Sequence, residues 1–259
     1  MSFNCCGLRI GIRATRPGFL GMIENRLPPG LKPTRTPVVD RMYSVVIGGP
    51  ASRRGLHRMN LLYVNATRLV RECELEPVVE SLEVDLRRSI AHWAPRLVFI
   101  HAGVVGWRGR AIVIPGHSMS GKSTLVAALV RAGATYYSDE YAVLDHRGRV
   151  FPFAKPLSVR EPGSYKSTDH PVEQFGGHAG REPLPVALVI VTRYAEGARW
   201  RPRRLRPSEA ALALLRHGVA ARRDPARVMK ALRHCVADAE ALRGARGEAT
   251  EMAQKILSL

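Results

Sequence analysis

The run Ala111-Ile112-Val113-Ile114-Pro115-Gly116-His117-Ser118-Met119-Ser120-Gly121-Lys122-Ser123-Thr124 leaves this chain few ways to fold. Ala111 to Ile114 is a compact apolar stretch suited to a buried strand. After Lys122, the residues Leu125, Leu129 and Val130 share one helical face, and Gly133 stops the helix. Between strand and helix lies G-x-x-x-x-G-K-[ST], the pattern of a phosphate-binding loop. Gly116 and Gly121 let the backbone fold back so that successive N–H groups point inward at phosphate oxygens. A helix opening at Lys122 brings the positive end of its dipole to the same point. Lys122 supplies a mobile cation for the β- and γ-phosphates, and the Ser123 hydroxyl is placed to ligate Mg2+. The expected ligands are a nucleoside triphosphate and Mg2+. The residues expected to hold them are Gly116, His117, Ser118, Met119, Ser120, Gly121, Lys122, Ser123 and Thr124. An ordinary glycine-rich turn is the competing reading, and the flanking strand and helix argue against it.

At 259 residues and 46% hydrophobic content, the chain suits one substantial α/β core with an appended domain. No apolar stretch approaches the roughly 20 residues that span a bilayer. Met1 to Ala14 shows no basic start followed by an apolar region, so no signal peptide is expected and a cytoplasmic location is. Cys5, Cys6, Cys73 and Cys235 are too scattered for a zinc site and read as free thiols. The formal charge of +18 comes mostly from arginine, as a GC-rich genome would give. The dense stretch Arg199 to Arg206 suits an acidic partner, a leader peptide or nucleic acid, or else a solvated strand edge and loop. No helix-turn-helix, zinc finger or aromatic-interleaved RNA motif accompanies it, so neither nucleic acid nor a membrane is an expected partner.

Residues 1–94 read as a smaller α+β accessory or substrate domain. Strands are expected at 6–13 and 43–47, a hairpin at 61–64 and 67–70, and a helix at 76–93 carrying Val79, Leu82, Leu86 and Ile90. Residues 95–200 read as the nucleotide-binding core, with strands at 97–100, 111–114 and 186–191 and extended segments at 135–137 and 141–144. Residues 162–185 form a polar loop of the length that is usually functional or mobile. Residues 201–259 read as helical, over about 208–217, 225–242 and 248–257.

A triphosphate site needs a second carboxylate, either to hold Mg2+ or to take the proton of an attacking hydroxyl. The strand at 186–191 ends in Thr192-Arg193 and offers none. Asp139-Glu140, after the helix that follows the loop, is the candidate pair. His101 ends the strand before the loop's own strand, where a neighbouring strand would bring it near the triphosphate; a structural histidine is the alternative.

Taken together, His101-Ala102-Gly103-Val104-Val105, Gly116 to Thr124, Arg131-Ala132-Gly133 and Ser138-Asp139-Glu140 resemble the catalytic domain of the HPr kinase/phosphorylase family, over about 97–160. The resemblance implies an α/β phosphate-loop kinase core with a mixed sheet of the HPr kinase and PEP carboxykinase type, plus a smaller N-terminal domain and C-terminal helices. It implies an ATP-dependent serine kinase. Asp139 would be the general base, His101 a catalytic histidine, and Lys122 and the loop backbone the phosphate holders. Ser123 and Glu140 would be metal ligands, with Glu161 a third and Arg160 a phosphate contact. Glu140 stands where that family has aspartate, Tyr141 where its bifunctional members carry arginine, and Thr124 where they carry an acid. The family's later E-I-R-G-L-G and C-terminal signatures, which serve hexamer assembly, HPr docking and phosphorolysis, have only Ser158-Val159-Arg160-Glu161 in their place. The resemblance is therefore to the divergent serine kinase branch. Its expected partners are a hydroxyl-bearing protein, peptide or small molecule and, as the family allows, further copies of the chain. An ATP-binding regulatory module, or an ATPase without an acceptor, is the alternative. A PEP carboxykinase-like enzyme and an ABC-type motor fit less well, because their metal-ligand and signature segments are absent.

Overall fold

The structure, a computed structural model, describes residues 1–49, 59–117, 120–160 and 167–259. The chain divides into two compact units, Met1–Arg96 and Leu97–Leu259.

The first unit contains β1 (Ser2–Cys5), β2 (Leu8–Ala14), α1 (Phe19–Ile23), β3 (Lys32–Thr34), β4 (Arg41–Val46), β5 (Asn60–Val64), β6 (Thr67–Glu72) and α2 (Glu76–Trp93). Its sheet runs in the order β3-β1-β2-β4-β5-β6. The strand expected over 6–13 is instead part of a hairpin, because Cys6 and Gly7 both take positive φ and turn the chain between β1 and β2. On α2 the expected face is the buried one: Val79, Leu82, Leu86 and Ile90 lose nearly all exposure. Asp85 is buried there too, accepting from Tyr43 Oη at 2.8 Å and pairing with Arg88 at 2.9 Å.

The second unit begins with β7 (Val98–Trp107), β8 (Arg110–Pro115), α3 (Lys122–Arg131), β9 (Thr135–Ser138), β10 (Tyr141–Leu144) and β11 (Val150–Phe151). It continues with β12 (Leu157–Arg160), β13 (Ser167–His170), β14 (Val186–Tyr194), β15 (Arg203–Arg204), α4 (Pro207–Leu215), α5 (Pro225–Val236), β16 (Glu240–Arg246) and α6 (Ala249–Leu257). The main sheet runs β11-β10-β7-β8-β14-β16-β15, with β9 also paired to β7. Side-chain alternation divides the core between its two faces. Ala111, Val113 and Val189 pack with Leu214, Val228 and Leu232 from α4 and α5. Ile112, Ile114, Leu188 and Ile190 pack with Leu125, Leu129, Met252 and Ile256 from α3 and α6.

Three expectations for the second unit need correction. The strand expected to stop at Ile100 runs on through His101 to Trp107, carried by the buried Ala102, Val104 and Val105, and turns into β8 at Arg108-Gly109. His101 is therefore inside a strand, not at its end. The helix expected over 225–242 stops at Val236, and Glu240–Arg246 is a strand. Glu-Ala-Leu-Arg has good helix propensity, but pairing with β14 on one side and β15 on the other overrides it. Nor is all of 162–185 an open loop. β13 pairs with β12, and single bridges tie Ala179 to Tyr136 and Leu184 to Val150.

Candidate nucleotide site

β14 is parallel to both β8 and β16, so the carboxyl ends of the three strands lie on one edge of the sheet. That edge is where open α/β sheets take ligands. Residues 116–121 connect β8 to α3 at this edge. Gly121 takes φ 79° at the cap of α3, and its carbonyl accepts from Arg246 Nη2 at 3.0 Å. Gly116 is needed for close approach: a Cβ there would fall 2.6 Å from Ser120 Oγ and 3.3 Å from Lys122 Cδ. Lys122 Nζ donates to His117 O at 2.6 Å, within the loop. Burial lowers the Lys122 pKa, while Asp139 and Glu140 pull it back up.

Asp139 comes from the other side. β9 and β10 follow one another along β7, pairing with Val104 and His101 respectively, and Ser138-Asp139-Glu140 bridges them. Ser138 Oγ accepts from the N–H groups of Glu140 (3.1 Å) and Tyr141 (3.0 Å), which fixes the turn. Asp139 is thus held at the head of α3, only 5% exposed. Its Oδ2 accepts from Ser123 Oγ at 3.0 Å and from the Ser158 N–H at 3.2 Å. Its Oδ1 accepts from Tyr136 Oη at 3.0 Å and faces Lys155 Nζ at 3.2 Å. Burial, with Asp139 beside it, raises the Tyr136 pKa, so the phenol keeps its proton and donates it. Lys155 Nζ also donates to Ser158 Oγ at 3.2 Å, and that hydroxyl bonds Asp169 on β13.

His101 lies beside the start of the loop, since its carbonyl accepts from the Gly116 N–H at 3.2 Å. Burial lowers its pKa, and Lys122 and His117 lower it further. His117 and His217 meet edge to face with centroids 4.5 Å apart, while the His217 carbonyl accepts from the His101 N–H. Burial, then His117, Lys122, His101 and Arg216, lower the His217 pKa to about 4. The His101 and His217 imidazoles are therefore neutral at pH 7.

The expected residues Gly116, His117, Ser120, Gly121, Lys122, Ser123 and Thr124 thus occupy one loop and helix start, with Asp139, Glu140 and His101 brought to it. Ser118, Met119 and Glu161 lie outside the described residues. The donor set suits Mg2+. Ser123 Oγ and an Asp139 oxygen are in contact, and no cluster of three or more His, Cys, Asp or Glu side chains able to hold a metal occurs among the described residues. Mg2+ commonly takes one or two protein oxygens and completes its shell with phosphate and water. For a triphosphate, the loop offers Lys122 and Ser120 Oγ, which is buried without a hydrogen-bond partner among the described residues.

Sequence reasoning missed Lys155, Tyr136, Ser158, His217 and Arg246. Lys155 left a signal: a lysine in a chain whose cations are mostly arginine, set between Pro152 and Pro156 beside Phe153. Arg246 left none, because the start of its strand reads as the end of a helix and the residue itself falls in the gap before the next one. In the basic stretch, Arg203 and Arg204 form edge strand β15 and pair with Glu209 (3.1 Å) and Glu240 (2.9 Å).

Fold and site together define a mixed α/β protein whose polar edge gathers a glycine loop, a lysine and a buried aspartate. Among solved structures, the chain shows a distant likeness to the HPr(Ser) kinase/phosphatase from Coxiella burnetii, at 16% identity and a TM-score of 0.34. The match covers 62% of this chain and 92% of that one. No protein-family model matches the chain, and neither does any curated protein. No helix among the described residues is long and apolar enough to cross a membrane.

Proposed function

We propose that this chain is an ATP-dependent kinase of the HPr kinase-like type, transferring the γ-phosphoryl group to a serine or other hydroxyl of a protein, peptide or small molecule. The observation that carries the reading is the 3.0 Å contact between Ser123 Oγ and Asp139 Oδ2 at the head of α3. It joins the end of the loop to the acidic turn that the sequence singled out. A phosphoryl-transfer site needs that junction, because its work is positioning and charge neutralisation.

In this reading, the loop N–H groups and Lys122 hold the β- and γ-phosphates, with the Lys122 ammonium exchanging His117 O for phosphate oxygen. Ser123 and Glu140 would hold Mg2+, which when bound would neutralise charge on the transferring group. A carboxylate has about four acceptor sites, and donors fill all four on Asp139. With Ser123 Oγ turned from Asp139 toward the metal, one site on Oδ2 would be free, and there Asp139 would take the proton of the acceptor hydroxyl. The bond from the γ-phosphorus to the acceptor oxygen forms as its bond to the β-phosphate oxygen breaks. His101, neutral at working pH, offers a hydrogen bond to the transferring group without adding charge. The N-terminal unit and the basic stretch are proposed to meet the acceptor.

The test compares wild type with Asp139→Asn, using γ-labelled ATP, Mg2+ and hydroxyl-bearing acceptors encoded beside the gene. Label on an acceptor hydroxyl in wild type, reduced at least a hundredfold in Asp139→Asn, supports the assignment. Full transfer by Asp139→Asn removes the base. Label found only in inorganic phosphate makes the protein an ATPase.

A further inference from the structure

A second feature of the same edge is a cleft of about 430 Å³ lined by Ser120, Gly121, Thr124, Arg193, Tyr194, Arg246, Glu248 and Ala249. Its size falls within the usual range of small-molecule sites. We propose that this cleft is the nucleoside subsite, taking the base and ribose of the triphosphate whose phosphates the loop holds. The inference rests on the reading of the loop given above.

Direction comes from α3. Successive helical residues point about 100° apart. Ser123 turns toward Asp139, whereas Thr124 lines the cleft. In loops of this pattern, the lysine and the Ser/Thr serve the β- and γ-phosphates and the metal. The Asp139 side is therefore the γ end, and a chain of phosphates crossing the head of α3 leads its α-phosphate toward Thr124. Ser120 connects the two regions: it lines the cleft, and its buried hydroxyl has no hydrogen-bond partner among the described residues.

The walls suit a nucleoside. Tyr194, at the carboxyl end of β14, is 48% exposed, with its hydroxyl donating to Glu248 Oε1 at 2.9 Å. The Arg246 guanidinium lies 5.4 Å from the Tyr194 ring centroid, backing the ring and leaving its exposed part for a base to stack on. Arg246 is only 2% exposed and is fastened by bonds from Nη1 to Gly247 O (2.9 Å) and from Nη2 to Gly121 O (3.0 Å). This one side chain ties the phosphate loop to the cleft wall. Glu248 supplies a carboxylate for ribose hydroxyls, as acidic residues do in other nucleotide sites. Arg193 adds positive charge to the cleft lining.

The experiment is a titration of ATP and of inorganic tripolyphosphate, each with Mg2+, into wild type, Tyr194→Ala, Tyr194→Phe and Lys122→Ala. A stacked base is worth enough for Tyr194→Ala to weaken ATP binding by about tenfold or more. Tripolyphosphate binding should stay unchanged, which also reports an intact fold, and Tyr194→Phe should retain most ATP affinity. Lys122→Ala should weaken both ligands. If Tyr194→Ala binds ATP within twofold of wild type while Lys122→Ala does not, the subsite is overturned and the reading of the loop stands. If Tyr194→Ala loses both ligands equally, Tyr194 acts through the loop and the subsite is again overturned. If wild type binds neither ligand, both the subsite and the proposed function fail.

Discussion

Lys155→Met isolates what holds the acidic turn in place. Lys155 and Asp139 are 12% and 3% exposed in their side chains and lie 3.2 Å apart, so this pair is shielded from water. Removing one partner of a buried pair costs about 3–5 kcal/mol, because the remaining charge is left uncompensated. Asp139 keeps three other donors, from Tyr136, Ser123 and Ser158, which puts the expected cost near the lower figure, about 3 kcal/mol. For a unit of this size, 1 kcal/mol shifts Tm by about 2–4 °C, so the melting point should fall by about 6–12 °C. Methionine preserves most of the buried stem, so little of that loss is packing. In a double-mutant cycle with Asp139→Asn, the double variant should recover at least about 1 kcal/mol relative to the sum of the singles. Urea or thermal unfolding followed by circular dichroism measures each term. A Lys155→Met variant within about 0.5 kcal/mol of wild type, the scatter typical of surface substitutions, would refute the reasoning.

Three further outcomes follow from the same geometry. Folding lowers the His217 pKa to about 4 and also lowers that of His101, so between about pH 4 and the unfolded value near 6.5 the unfolded chain binds more protons than the folded one. Stability should therefore fall as pH drops through that window, with the urea midpoint lower at pH 5 than at pH 7.5, and His217→Asn should flatten the slope. Gly116→Ala drives a methyl against Ser120 Oγ and the Lys122 stem, so ATP and tripolyphosphate affinity should both fall at least tenfold in titration calorimetry while Tm changes little. Ser123→Ala removes the hydroxyl that bonds Asp139 and is proposed to ligate Mg2+; the gain in ATP affinity on adding Mg2+, expected in wild type, should largely vanish.

Much of this site is written in short-range signals. Gly116, Gly121, Lys122 and Ser123 announce themselves because a strand, a turn and a helix start are each encoded within a few residues. Asp139-Glu140 could be found because it follows the loop's own helix at a short interval. What sequence reasoning lost depends on pairing at a distance. His101 was expected at a strand end, but β7 extends past it because β8, β9 and β10 all pair along its length. Arg246 was out of reach because the start of its strand, Glu240 to Leu242, reads as the end of a helix, and only the groove between β14 and β15 makes Glu240–Arg246 a strand. Lys155 reaches Asp139 from a segment with no periodicity, and its role appears only once the acidic turn has a place in space.

The central claim is transfer of a phosphoryl group from ATP to a hydroxyl at the Ser123–Asp139 junction. Its most direct measurement is a single-turnover reaction with γ-labelled ATP and Mg2+, partitioning the label among unreacted ATP, inorganic phosphate and acceptor. Most label consumed by wild type should appear as an acid-stable phosphate ester on the acceptor, and Lys122→Ala and Asp139→Asn should each suppress it. Label that stays in ATP, or that reaches the acceptor equally well in both variants, would contradict it.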